Sequence, residues 1–132
     1  NAGLTDAPAE AQSNILPSTA DNPYFGKTAE VPVTALDTAA AEVFGNTRVD
    51  YIKYDVEGAE HEAILGSRET IERSHPTLLV SLYHRNEDLF DLPLLLNRLF
   101  PSYQGYYLRR KRGVPAWDLN LYVRKEKLME DI

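Results

Sequence analysis

The sequence predicts an α/β fold in which parallel strands are followed by an antiparallel hairpin. From residue 30 onward, strand-like and helical patterns alternate, which is the order produced by helical crossovers between parallel strands. The continuous apolar run at 76–84 is typical of a strand that is covered on both faces. Two segments that alternate apolar and polar residues, at 103–110 and 117–124, flank a short basic turn and predict the hairpin.

Residues 1–29 are predicted to form an irregular N-terminal segment, because they carry Pro8, Pro17 and Pro23 and show no apolar period. An irregular stretch of this length beside a compact domain is usually functional, or it is held by another part of the protein. The α/β domain is therefore assigned to residues 30–132.

The first element of this domain is a short strand in EVPVTAL at 30–36, whose valines alternate on one face. Pro32 has no backbone N–H group, which confines the strand to the edge of a sheet. Asp37 is expected to cap the helix that follows, TAAAEVF, and Gly45 is expected to end it.

The second strand is predicted in VDYIKYD at 49–55, which is rich in β-branched and aromatic residues. Lys53 and Asp55 are two residues apart and therefore point to the same face of this strand. Because an unpaired ammonium group is costly to bury, we expect Lys53 to form an ion pair with Asp55 at the end of the strand.

The remaining elements follow the same alternation. A helix is predicted over 59–74, and its inner side carries Ala59, Ala63, Ile64 and Ile71. Pro76 lies beyond the end of that helix, and the apolar run at 76–84 supplies the third strand. A helix over 87–100, which contains Pro93, then precedes the hairpin, so the predicted order is β-α-β-α-β-α-β-β.

Composition excludes several classes of protein. The chain of 132 residues is one domain in length, and its 14 basic and 20 acidic residues leave a net charge of −6, which argues against a nucleic-acid partner. The basic cluster RRKR at 109–112 is interpreted as a solvated turn. The chain has no cysteine and no apolar run long enough to span a bilayer, so we expect a cytoplasmic protein without disulfides, thiolate chemistry or a membrane partner.

The predicted carboxyl ends of the second and third strands are both polar. The turn DVEG at 55–58 follows the second predicted strand, and His84 ends the third. Ligands of parallel sheets bind outside the carboxyl ends of the strands, so Asp55, Glu57, Gly58 and His84 are the candidate site residues. Gly58 allows a backbone conformation in this turn that residues with a Cβ atom resist.

Three interpretations of these residues stay open from their spacing alone. In the first, Asp55 and Glu57 only cap the following helix, where carboxylates meet the positive end of its dipole. In the second, Asp55 faces a pocket, where it binds a hydroxyl group or acts as a base. In the third, Asp55, Glu57, His61 or His84 bind a metal ion, although their spacing is not diagnostic. His61 and His75 are otherwise expected at the surface.

The run KYDVEGAE at 53–60, followed by ILG at 64–66 and by Pro76, resembles the most recognisable segment of the FkbM-type methyltransferases. VPVTALD at 31–37 resembles the segment just upstream in that family, and the resemblance covers about residues 30–123. It implies a partial Rossmann-like, three-layer class I methyltransferase fold, of which this chain is the C-terminal half. YIKYD and TLLVSLYH would be its fourth and fifth strands, and the hairpin its sixth and seventh.

The resemblance also implies a chemistry. These enzymes use S-adenosylmethionine and typically methylate oxygen, so the expected partner is a small-molecule or glycan hydroxyl, on a sugar or a natural product. Asp55, Glu57 and Gly58 would lie at the cofactor and acceptor side of the pocket. In-line methyl transfer needs alignment and, for a weakly acidic hydroxyl, a base, and the candidates for that base are Asp55 and His84.

The sequence departs from the family pattern in one respect. It contains no G-x-G, the glycine-rich turn that holds the cofactor, and no strand-turn-helix pattern before residue 30. The chain is therefore expected to be a C-terminal fragment with little activity alone, whose fourth strand is an exposed edge able to pair in a homodimer. The alternative is a non-catalytic α/β interaction module derived from the same fold. A phosphatase-like enzyme with Asp55 as nucleophile fits less well, because DVEG lacks the second aspartate of such motifs.

Overall fold

The computed structural model describes residues 3–4, 33–45, 47–110 and 118–127. Strands and helices alternate along these ranges until the final hairpin, as the sequence predicts. In chain order the elements are β1 (Gly3–Leu4), β2 (Val33–Thr34), α1 (Leu36–Phe44), β3 (Tyr51–Tyr54), α2 (Glu60–Leu65), α3 (Arg68–Ser74), β4 (Thr77–Ser81), α4 (Asp88–Leu99), β5 (Gly105–Arg110) and β6 (Leu119–Arg124).

The main sheet has four strands in the spatial order β3-β4-β6-β5. β3 and β4 are parallel, whereas β6 is antiparallel to both β4 and β5. The predicted parallel strands and the final hairpin are therefore confirmed, and β6 is the hairpin strand that pairs with β4. Among the described strands, β3 forms an edge of this sheet, as expected. Pairing of two copies through that edge stays a prediction.

A second sheet consists of β1 and β2, which pair in parallel from Gly3↔Val33 to Leu4↔Thr34. β1 therefore lies within the segment 1–29 that the sequence predicts to be irregular. The rest of that segment is outside the described residues, so its structure stays a prediction. Part of the predicted basic turn is likewise outside them, whereas Arg109 and Arg110 belong to β5 and are exposed.

One face of the four-stranded sheet forms the core. Ile52 of β3 is aligned with Leu78 of β4, which is aligned with Val123 of β6, and all three side chains are buried. Helices α2, α3 and α4 cover this face, because their apolar sides face inward at helical spacing. The helical residues buried in this core are Ala63, Ile64, Ile71, Leu92, Leu95 and Leu96.

The opposite face of the sheet is more open. Lys53, Leu79 and Tyr122 are aligned across it, and Lys53 is exposed while the other two are half-buried. Within the described residues, β4 is therefore fully covered on one face, rather than on both as its apolar run predicts. The mixed α/β class is confirmed, and of the three predicted layers these residues supply the sheet and one helical layer.

The helix predicted over 59–74 is divided into α2 and α3 at Gly66 and Ser67. The Ser67 hydroxyl donates a hydrogen bond to the carbonyl of Ala63, which satisfies one of the last carbonyls of α2. The break creates a new helix N-terminus at α3, whose first backbone N–H groups need acceptors from elsewhere.

Asp37 supplies those acceptors, so its predicted role as cap of its own helix is wrong. α1 begins at Leu36 with Ala35 as its N-cap residue, and no side chain caps it. The Asp37 carboxylate instead accepts hydrogen bonds from the backbone N–H groups of Glu69 and Thr70, at 2.9 and 2.8 Å. The carboxylate thus fixes α1 to α3. The predicted end of α1 at Gly45 is confirmed by its left-handed backbone, with φ of 56°.

None of the four helices in the described part of the chain has the length and apolar character that crossing a bilayer requires. The longest of them, α4, has charged residues in its first turn and contains Pro93 in its second.

We expect Asp37→Ala to lower the free energy of unfolding by about 1 kcal/mol, because two N–H groups of α3 lose their acceptor. Urea denaturation followed by circular dichroism measures this loss. Glu42→Ala, at an exposed position of the same helix, is the matched control and should change stability by less than about 0.5 kcal/mol. Equal effects of the two substitutions would show that the contact with α3 does not stabilise the fold.

Candidate active site

The turn after β3 has a backbone that few residues adopt. Glu57 and Gly58 both have positive φ, at 55° and 97°. For Glu57 this left-handed conformation costs roughly 1–2 kcal/mol, whereas Gly58 adopts it without a Cβ penalty. A Cβ on Gly58 would meet the side chain of Arg85 at an ordinary 3.5 Å, so the backbone angle, rather than lack of space, requires glycine here. The turn directs the carboxylates of Asp55 and Glu57 towards the end of β4.

Asp55 is held by two neighbours. Its carboxylate accepts hydrogen bonds from Lys53 Nζ at 2.8 Å and from the Tyr83 hydroxyl at 2.9 Å, which confirms the predicted pairing with Lys53. The hydrogen bond from Lys53 holds the pKa of the Asp55 carboxyl below its ordinary value, and Tyr83 adds to this effect against partial desolvation. Asp55 is therefore an ionised hydrogen-bond acceptor at neutral pH.

The capping interpretation of Asp55 and Glu57 is not supported. The N-cap position of α2 is Ala59, and no side chain makes a cap hydrogen bond there. The carboxylate that bonds the turn is that of Glu60, whose Oε1 atom accepts a hydrogen bond from the backbone N–H of Val56 at 3.0 Å. Glu60 thus closes the turn from the first position of α2.

His84 lies between three carboxylates. Its side chain is only 11% exposed, and its Nδ1 atom is 2.7 Å from Oε1 of Glu60. Its Nε2 atom lies 3.5 Å from Oε2 of Glu57 and 3.6 Å from Oδ1 of Asp55. Nδ1 thus faces the buried Glu60, and Nε2 faces the two outer carboxylates. The structure therefore brings together Asp55, Glu57 and His84, as predicted.

Glu60 is the member of this site that sequence reasoning missed. It is fully buried, although glutamate is rarely buried without a partner. The spacing of Glu60, Ala63, Ile64 and Ile71 puts all four on one face of a helical pattern, so the glutamate could have been recognised on the inner side of α2. Its role depends on His84, which is 24 residues away along the chain.

The other two histidines lie apart from this cluster. His61 is partly exposed, at 42%, and its Nδ1 atom is 3.8 Å from the carboxylate of Glu62, so it does not join the metal-ligating group considered from the sequence. His75 ends α3 with a left-handed backbone, and its ring stacks with that of Tyr103 at 6.4 Å between centroids. It is half-buried rather than fully solvated.

The site residues lie on an open rim. An apolar groove of about 430 Å³ lies between α4 and the hairpin, where Leu94 and Tyr106 line it. A polar groove of about 410 Å³ is lined by His75 and Arg124, among other residues, and lies at the amino ends of β3 and β4, opposite the ends that carry the site. Neither of these grooves is lined by the Asp55 cluster, and the side chain of Glu57 at the rim is 88% exposed.

Comparison with known proteins gives a consistent family. The methyltransferase FkbM domain family matches residues 3–108 of the chain. A crystal structure of methyltransferase FkbM from Methylobacillus flagellatus KT is similar to it, with 33% sequence identity and a TM-score of 0.61. The similarity covers 70% of this chain and 23% of that one, so this chain spans about a quarter of that relative's length. A comparison with curated proteins found no match.

We expect Lys53→Met to raise the pKa of Asp55 towards its ordinary value, because the largest interaction that lowers it is lost. Titration of the Asp55 carboxyl carbon by NMR in metal-free buffer measures this shift, and Tyr83→Phe should produce a smaller shift of the same sign.

The lowered pKa of Asp55 also predicts a pH dependence. The stabilisation by this carboxylate is present above its ordinary pKa of 3.8 and is lost as pH falls through the lower pKa of the folded state. Both partners are partly exposed, so Lys53→Met should cost less than about 1 kcal/mol at pH 7. An unchanged pKa of Asp55 in Lys53→Met would contradict the assignment of Lys53 as the main cause of the lowered pKa.

Proposed function

The chain belongs to the methyltransferase FkbM domain family, and on this premise we propose that it forms the acidic rim of the pocket of an S-adenosylmethionine-dependent O-methyltransferase. The observation that carries the proposal is the position of Asp55, Glu57 and His84 at the carboxyl ends of the adjacent parallel strands β3 and β4. Ligands of α/β sheets bind at these ends. The proposed acceptor is a hydroxyl group, on a sugar or a natural product.

The residues at the rim suit such ligands chemically. The carboxylates of Asp55 and Glu57 are hydrogen-bond acceptors, which fit the hydroxyl groups of a ribose and of an acceptor. Their negative charge also favours a positively charged sulfonium nearby. Gly58 lets the backbone turn sharply beside them, so that the rim stays accessible.

S-adenosylmethionine, when bound, supplies a methyl group on a positively charged sulfur. As the acceptor oxygen would bond to the methyl carbon, the carbon–sulfur bond would break, and the hydroxyl would give up its proton to a base. The lowered pKa of Asp55 suits this carboxylate to hold and orient the hydroxyl rather than to remove its proton. His84 is the second candidate for taking the proton, because its Nδ1 atom is engaged by Glu60 and its Nε2 atom faces the rim.

The rest of the cofactor site is proposed to come from outside this chain. The chain spans 23% of the FkbM relative of known structure and contains no G-x-G. It is therefore proposed to have little or no activity alone. A cytoplasmic location is proposed from the absence of cysteine, which suits a reducing compartment.

We expect S-adenosylmethionine to bind the 132-residue chain no more tightly than roughly 1 mM, because the chain lacks the glycine-rich turn that holds the cofactor and most other anchoring groups. Isothermal titration calorimetry with the cofactor and with its demethylated product measures this affinity. Micromolar binding of either compound would contradict the proposal that most of the cofactor site comes from outside this chain.

In a protein that joins this segment to a glycine-rich cofactor loop, we expect Asp55→Asn to lower turnover by roughly 100-fold or more. The free energy of unfolding should change by less than about 1 kcal/mol, since Asp55 is partly exposed. Methyl transfer from radiolabelled S-adenosylmethionine and urea denaturation measure the two quantities. Asp50→Asn, an exposed aspartate just before β3, is the control and should change neither. A loss of turnover that is fully explained by the loss of folded protein would favour a structural role for Asp55. The absence of any methyl transfer in the unsubstituted protein would favour the non-catalytic module.

A further inference from the structure

We propose that Asp55, Glu57 and His84 bind a divalent transition-metal ion, and that Glu60 orients the histidine from behind. One carboxylate oxygen of each outer acid and one nitrogen of His84 lie within 4.8 Å of one another. The role of the ion in catalysis rests on the proposed methyl transfer. Binding of the ion does not, because it depends only on the residues named here.

The distances within the cluster suit a shared ion better than direct hydrogen bonds. Nε2 of His84 lies 3.5 Å from Glu57 and 3.6 Å from Asp55, measured to the nearest carboxylate oxygens. A hydrogen bond would bring these atoms to about 2.7–3.2 Å. Two donors that each lie about 2.1 Å from one ion are about 3.4 Å apart at the tetrahedral angle. The observed spacing is therefore close to that of two ligands of one ion.

The buried glutamate is an independent indication. Glu60 is fully buried, its Oε1 atom is 2.7 Å from Nδ1 of His84, and its Oε2 atom has no hydrogen-bond partner among the described residues. Glu60 therefore engages Nδ1 from the interior, and Nε2 lies on the side of the two outer carboxylates. Histidines that bind metal ions typically donate their other N–H group to a carboxylate in this way.

The charges around the cluster also favour a divalent ion. Asp55, Glu57 and Glu60 carry negative charges when ionised, and Lys53 is the cation bonded to Asp55. The nearby Arg85 is engaged by Glu87 at 2.7 Å. The three acids outnumber the Lys53 cation, and a divalent ion would offset the excess of negative charge.

The donor set indicates the class of ion. Mg²⁺ and Ca²⁺ prefer sites made only of oxygen atoms, whereas one imidazole with two carboxylates suits Zn²⁺, Fe²⁺ or Mn²⁺. An ion at this rim would lower the pKa of an acceptor hydroxyl that contacts it. His84 would then be a ligand of the ion rather than the base, and the hydroxyl proton would pass to water.

Metal binding to the metal-free 132-residue chain tests the proposal without cofactor or turnover. We expect calorimetry to show one Zn²⁺ site of micromolar or tighter affinity, with Mg²⁺ at least about tenfold weaker, and electron paramagnetic resonance to show bound Mn²⁺. His84→Ala and Asp55→Asn should each weaken Zn²⁺ binding at least about 100-fold, and Glu60→Gln about 10- to 100-fold.

The controls are His61→Ala and Glu62→Gln, which remove an imidazole and a carboxylate exposed on α2 and should leave the affinity unchanged. Circular dichroism verifies that each variant is folded. If Glu60→Gln does not fold, Zn²⁺ binding by Asp55→Asn still tests the site, because Asp55 is partly exposed. Zn²⁺ affinity weaker than millimolar, or binding that His84→Ala and Asp55→Asn leave unchanged, would overturn the site. Either result leaves the methyl-transfer proposal standing, because that proposal is tested by turnover.

Discussion

The hydrogen bond between Glu60 and His84 is the interaction on which the geometry of the site depends. Glu60 is fully buried and joins the turn after β3, the first residue of α2 and the end of β4, through Val56 and His84. A buried carboxylate costs several kcal/mol unless it is paired, so this arrangement is stable only with both partners in place. The positions of Asp55 and Glu57 follow, because the turn that carries them is closed by the same carboxylate.

The parallel pair of β3 and β4 explains why these residues meet at all. Tyr54 is in register with Val80, so the residues that follow the two strands emerge at the same edge of the sheet. Alternation along β3 buries Ile52 and Tyr54 beneath the helices and leaves Lys53 on the open face, where it reaches Asp55. One strand thus contributes both to the core and to the charge of the rim, which links the stability of the fold to the electrostatics of the site.

Asp37 and Glu60 are acidic residues near helix N-termini whose carboxylates bind groups outside their own helices. Each lies in the first turn of its own helix, where local capping is the simplest expectation. Asp37 instead binds the N-terminus of α3, which exists only because the helical pattern is broken at Gly66 and Ser67. Glu60 combines a local contact with Val56 and a distant one with His84. In both cases the partner is provided by packing rather than by sequence spacing.

By itself, the sequence determined the order and type of the elements from β2 to β6, because periods of two and of 3.6 residues are local properties. It also determined the pairing of Lys53 with Asp55, since alternate residues of a strand share a face, and the family through the run at 53–60. The tertiary structure alone decided that α2 and α3 are separate, that one face of β4 is fully covered, and that a buried Glu60 supports His84. These features depend on contacts between residues far apart in the chain, and no local period encodes which distant group will satisfy a buried charge.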